Sequence, residues 1–155
     1  MKFAHFLTLT ATVTLFTSAH AELVFKDDTG REVRLKAPAQ RIVTLAPHAT
    51  EILYAAGAGD RLVGTVDYSD YPAAAKKVTR VGSYDRIDIE ALAALKPDLV
   101  IAWESGNPAG QIDKLRSFGL TVYASQPNRM EDIAGQLARF GQLAGTRPVA
   151  DQAAA

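Results

Sequence analysis

Few residues in this sequence are able to do chemistry, and their spacing limits that chemistry. The chain has three histidines and no cysteine. His5 and His20 fall in an N-terminal apolar stretch, leaving His48 as the one imidazole of the folded part. Without cysteine there is no thiolate nucleophile, no thiolate metal site and no disulfide framework. Ser/His/Asp catalysis would rest on His48 alone, and no Gly-x-Ser-x-Gly elbow occurs. Gly57-Ala58-Gly59-Asp60-Arg61-Leu62 opens like a dinucleotide fingerprint. However, Leu62 stands where the third glycine belongs, and the run lies between a helix and the next strand, the reverse of the required order. There is no Walker-type phosphate loop. Asp67 and Asp70 form the one carboxylate pair near a possible site, and as loop residues they are expected to be solvated. A small hydrolase built on such a pair is the catalytic alternative.

What remains is aromatic. Trp103 is the only tryptophan, and Tyr68, Tyr71 and Tyr84 are three of five tyrosines. Each follows the carboxyl end of a predicted strand. Strand 42–45 leads into Pro47 and His48, and strand 62–66 into Asp67, Tyr68, Asp70 and Tyr71. Segment 78–81 leads into Ser83 and Tyr84, strand 99–102 into Trp103, Glu104, Ser105 and Asn107, and strand 122–124 into Ser125, Gln126 and Asn128. In open α/β sheets ligands bind beyond the carboxyl ends of the strands. Aromatic side chains there offer flat apolar area with a polar tip, which suits a large, planar, partly polar ligand. Trp103 serves equally well as strand-end packing. Tyr71, preceding Pro72, reads as turn packing. His48, beside a helix start, reads as a solvated loop residue or as a ligand.

The elements that must position these residues alternate in type. Leu23–Leu35 holds two short alternating runs around Asp27-Asp28-Thr29-Gly30 and predicts an edge hairpin, with a connector through Gln40. A helix is predicted over Thr50–Ala56, ended by Gly57. Asp88 is a candidate N-cap for a helix over Ile89–Leu95, stopped by Lys96-Pro97. Leu99-Val100-Ile101-Ala102 is a continuous apolar run that suits a parallel strand covered on both faces. A helix over Ala109–Phe118 ends at Gly119. Asn128 with Glu131 predicts a capping box for a helix whose stripe is Met130, Ile133, Leu137, Phe140 and Ala144. Alternating strands and helices with short loops predict an α/β fold with a mainly parallel sheet and flanking helices. Val149–Ala155 reads as the first turns of a further helix, too short to be stable alone.

Composition narrows the class further. The 155 residues carry 17 basic and 17 acidic side chains, and 48% are hydrophobic. That content supports one folded domain and excludes wholesale disorder. With no basic excess to neutralise phosphates, the chain is not a nucleic-acid binder. Met1–Ala21 has a positive start at Lys2, an apolar stretch and Ala19-His20-Ala21, which together predict a cleavable secretory signal. The product is expected in the space beyond the inner membrane.

Two stretches carry a family resemblance. Val66-Asp67-Tyr68-Ser69-Asp70-Tyr71-Pro72 and the segment from Ile87 through Lys96-Pro97-Asp98-Leu99-Val100 to Trp103, continued by Glu104-Ser105-Gly106-Asn107, resemble the periplasmic cobalamin-binding proteins of ABC importers. These lie within the wider iron-siderophore, haem and cobalamin binding family. The likeness runs from about Arg41 to Gly145. It implies one lobe, 41–145, of a bilobed periplasmic binding protein, with residues 146–155 as the start of a truncated inter-lobe helix. The implied function is capture of cobalamin, or alternatively of haem or a ferric siderophore, and delivery to an inner-membrane permease. No enzyme activity, resident cofactor or structural metal is implied, and a monomer is expected. The resemblance assigns Tyr68 and Tyr84 to the vitamin pocket, beside Trp103, Pro47 and His48 from the rim, and Glu90 to permease docking. Glu90 also sits in a first helical turn, where an acid favours the helix dipole by roughly 0.3–1 kcal/mol. One lobe presents half of a pocket, so the chain alone is expected to bind cobalamin weakly or not at all.

Overall fold

The computed structural model describes residues 22–155; the predicted secretory signal, 1–21, lies outside the described residues. At its centre is a five-stranded, all-parallel sheet. Its strands are β3 (Ile42–Thr44), β4 (Leu62–Thr65), β5 (Thr79–Arg80), β8 (Leu99–Trp103) and β9 (Val122–Ser125). They lie in the order β5-β4-β3-β8-β9. The register sets Ile42 opposite Leu99, Val43 opposite Val100 and Thr44 opposite Ile101.

Both faces of the sheet are covered, which is why the central strands read as unbroken apolar runs. Leu99 and Ile101 point to one core, shared with helices α1 (Pro47–Ala55) and α4 (Asp132–Ala144). Val100 and Ala102 point to the other, shared with α2 (Ile89–Ala94) and α3 (Ala109–Ser117). Burial of each large side chain contributes roughly 1.5–3 kcal/mol. The final helix, α5 (Arg147–Ala154), packs on α4, where Gly141 has no side chain and Ala150 fills the space. Packing, rather than intrinsic propensity, therefore holds this short helix. Among the described residues no helix is long and apolar enough to cross a membrane.

Several expectations are corrected. The first hairpin, β1 (Leu23–Lys26) with β2 (Glu32–Leu35), forms its own antiparallel sheet rather than an edge of the main one. Its turn is tied to the outer edge of β9. Asp28 N donates to Ala124 O at 3.0 Å, while Ala124 N donates to the Asp27 carboxylate at 3.3 Å and Gln126 N to that of Asp28 at 2.7 Å. Helix α1 starts at Pro47, three residues earlier than predicted. A proline at the first helical position lacks only an amide proton the helix would not have used, and its φ is preset. The capping box at Asn128 does not form. Instead the Asp132 carboxylate accepts the Asn128 and Arg129 amides, each at 2.9 Å. These bonds hold the Asp132 carboxyl below its ordinary range. Asp132 thus takes the Asn128 amide that Glu131 would have accepted in the box, and the Asn128 side-chain oxygen accepts a hydrogen bond from Gln126 Nε2 instead. Met130 then lies before the helix, exposed, and drops out of the predicted stripe. The Asp88 cap does form, accepting from Ala91 N at 2.9 Å.

Candidate functional site

Segments from four strands and one small hairpin meet at the carboxyl end of the sheet. The hairpin, β6 (Gly82–Ser83) with β7 (Arg86–Ile87), was not expected from the sequence; it carries Tyr84 and Asp85 at its tip. Its presence turns the predicted loop around Tyr84 into a small projecting finger.

Trp103 is the centre of this rim. Its ring lies 5.2 Å from that of His48, nearly perpendicular at 86°, and 6.2 Å from that of Tyr84, tilted by 47°. Both spacings fall in the range of attractive edge-on and tilted aromatic contacts. Trp103 is half-buried, while Tyr84 is 42% exposed, so this cluster opens to water. Gly106 permits the arrangement, because a β-carbon there would lie within the Trp103 ring.

His48 sits in the first turn of α1 rather than in a loop, half-buried, with Nε2 shielded from solvent and without a hydrogen-bond partner. Burial holds the imidazole below its ordinary pKa of 6.5, so the ring is neutral at neutral pH. Pro47, beside it, is half-buried and fixes the helix start. An apolar hollow of about 270 Å³ lies next to His48, lined also by Pro127, Met130 and Ile133.

Tyr68 stands apart from this cluster. Its ring is 78% exposed and its backbone is left-handed, with φ of 65°. The turn that carries it is nevertheless firmly held. A buried hydroxyl chain runs beneath it: Thr44 and Thr50 lie 2.7 Å apart, Thr65 lies 3.0 and 2.8 Å from them, and Thr65 donates to Ser69 at 2.8 Å. Arg80 closes the same turn by donating to Ser69 O and Asp70, each at 3.0 Å. Asp67 N donates to Gly82 O at 2.9 Å, which places the Tyr68 turn beside the Tyr84 hairpin.

Asn107 is the residue that sequence reasoning left among the rim positions without a role. It is buried, and its carboxamide bonds to three separate segments of the rim. The only signal was its place four residues after Trp103. Glu90 is exposed in the first turn of α2, two residues beyond the Asp88 cap.

The rim offers aromatic and apolar area edged by backbone polar groups. Asp67 and Asp70 are both exposed, and Asp70 is paired with Arg80. Neither carboxylate is therefore desolvated in the way an acid–base pair requires. Among the described residues no group of three or more His, Asp or Glu side chains is placed to hold a metal ion.

Comparison with known proteins gives the same picture. Residues 42–155 match the family model described as periplasmic binding protein. A vitamin B12-binding protein of Vibrio vulnificus is 49% identical over 106 residues, covering 68% of this chain and 39% of that protein. The crystal structure of the periplasmic vitamin B12-binding protein of Vibrio cholerae superposes with a TM-score of 0.72 at 47% identity, over 76% of this chain and 46% of that one. A periplasmic haem-binding protein of Pseudomonas aeruginosa superposes with a TM-score of 0.69 at 26% identity, over 75% of this chain and 42% of that one. The chain thus spans less than half the length of these relatives, and each of them is named for binding rather than catalysis.

Proposed function

The chain belongs to the periplasmic binding protein family, and from that premise we propose that it captures cobalamin in the periplasm and delivers it to the permease of an ABC importer. The observation that carries this reading is the open aromatic shelf of Tyr84 and Trp103 at the carboxyl end of a parallel sheet. A corrin is broad, apolar on its faces and polar at its rim, and such a shelf buries one face while leaving the rim in water. Tyr68, on its firmly held turn, extends the shelf beside the hairpin, and Pro47 with His48 forms its inner wall. Binding is reversible, driven by burial of apolar area, and involves no covalent step.

Glu90 is assigned to permease docking. It is exposed in the first turn of α2, the helix that follows the Tyr84 hairpin directly in the chain, so a partner gripping α2 would be coupled to the element that carries Tyr84. Glu90→Lys is expected to leave cobalamin binding intact while abolishing stimulation of a reconstituted permease.

The direct test is titration with cyanocobalamin, followed through the indole N–H resonance of Trp103. A weak, saturable shift at Trp103 in the millimolar range, that of half a pocket, is expected, and Tyr84→Ala weakens it; a shift that Tyr84→Ala leaves unchanged overturns the proposal. Haem capture is the second reading: His48 Nε2 has no hydrogen-bond partner to hold it in its buried position, and a ring turned outward would offer an atom of the kind haem iron accepts. It predicts a haem absorbance change that His48→Ala abolishes.

A further inference from the structure

Two carboxamides lie behind the Tyr84 hairpin, four residues apart. Asn107 is 4% exposed. Its Oδ1 accepts the Trp103 amide proton at 2.7 Å. Its Nδ2 donates to Leu45 O at 2.8 Å and to Tyr84 O at 2.7 Å. Because the three partners are one N–H and two carbonyls, the orientation of the amide is fixed by them. From the first turn of α3, Gln111 Oε1 accepts from Ile87 N at 2.8 Å and Nε2 donates to Asp85 O at 3.1 Å. The hairpin itself has only two residue pairs, far too little to fix its own direction.

We propose that Asn107 and Gln111 form an amide clamp that sets the spacing and tilt of the Tyr84 and Trp103 rings, which makes both of them positioning residues for the ligand shelf. The inference rests on the shelf being the capture surface. Asn107 fastens the end of β3, the finger tip and the end of β8 to a single planar group; Gln111 holds the finger from its other side. No other side chain of that size offers one acceptor and two donors in the needed arrangement. An aspartate would face its oxygen against the Leu45 and Tyr84 carbonyls, and an aliphatic residue would remove the partner of all three backbone groups, leaving the buried Leu45 carbonyl unpaired.

The test uses the whole chain with Asn107→Asp and Gln111→Ala, each checked for cooperative thermal unfolding. Trp103 is the only tryptophan, so emission and acrylamide quenching report this site and nothing else. In folded variants the clamp predicts red-shifted emission, more efficient quenching and cyanocobalamin affinity weaker by about tenfold, which corresponds to ~1.4 kcal/mol. Parental emission and quenching in the folded variants overturn it. Should Asn107→Asp fail to fold, Gln111→Ala decides alone, because Gln111 is half-buried and its loss exposes its partners to water. Quenching that rises in the variants while cyanocobalamin affinity stays parental leaves the clamp standing and removes the shelf as the cobalamin surface.

Discussion

Thr65→Val gives the sharpest test of how the Tyr68 turn is held. Valine matches threonine in shape and suits a strand, so the change removes one hydroxyl and little else. That hydroxyl is the junction of the buried chain, 3.0 Å from Thr44 and 2.8 Å from Thr50. It is also the partner of Ser69, at 2.8 Å. Thr44 and Thr50 keep each other at 2.7 Å, and Thr50 keeps the Ala46 carbonyl at 3.3 Å. Ser69, 1% exposed, is left without its partner. Orphaning one buried polar group costs about 1–3 kcal/mol. With a urea m-value of ~2 kcal/mol/M, the unfolding midpoint should fall by roughly 0.5–1.5 M. The double variant Thr65→Val/Ser69→Ala removes the orphan as well and should recover part of the loss, a coupling of at least about 0.5 kcal/mol. Trp103 emission should not change in either variant, because the hydroxyl chain does not touch that ring. A Thr65→Val midpoint equal to that of the parent, or a double variant whose loss is the simple sum, would refute the reasoning.

Three further outcomes are expected. His48 is neutral when folded, with its pKa below 6.5 through burial; as pH falls through that value the unfolded chain takes up the proton first. Stability measured by urea unfolding should therefore decline below about pH 6.5, and His48→Leu should remove that slope. Tyr123 is pushed up to about 12, by burial first and then by the Asp28 carboxylate. Its contribution is whole below the ordinary 10.0 and is lost as pH rises toward 12, which combined phenolate absorbance and circular dichroism would follow. Gly106→Ala drives a methyl group into the Trp103 ring; red-shifted emission and weakened cobalamin binding are expected, with the sheet intact by circular dichroism.

The alternation of strands and helices was legible because a parallel sheet covered on both faces leaves unbroken apolar runs such as Leu99–Ala102. The positions of Trp103 and Tyr84 on one rim followed from strand direction alone, and the structure brings them together with His48. Three features were not legible. The Tyr84 finger has strands of two residues each, too short for any periodicity. The α4 cap was misplaced because Glu131 and Asp132 are adjacent carboxylates that can both accept the Asn128 amide, and sequence does not rank one neighbouring acid above the other. The part played by Asn107 depends on Leu45 and Tyr84, 62 and 23 residues away, which no local pattern can connect to it.

A parallel sheet that ends in β9 offers a row of free amides and carbonyls to any passing strand, a hazard for a polypeptide that has yet to finish folding. Here the Asp27-Asp28 turn occupies those groups on Ala124 and Gln126. The N-terminal hairpin thus acts as a built-in guard against edge-to-edge polymerisation. Since it precedes the strand it protects, the guard is already synthesised when that vulnerable border first forms.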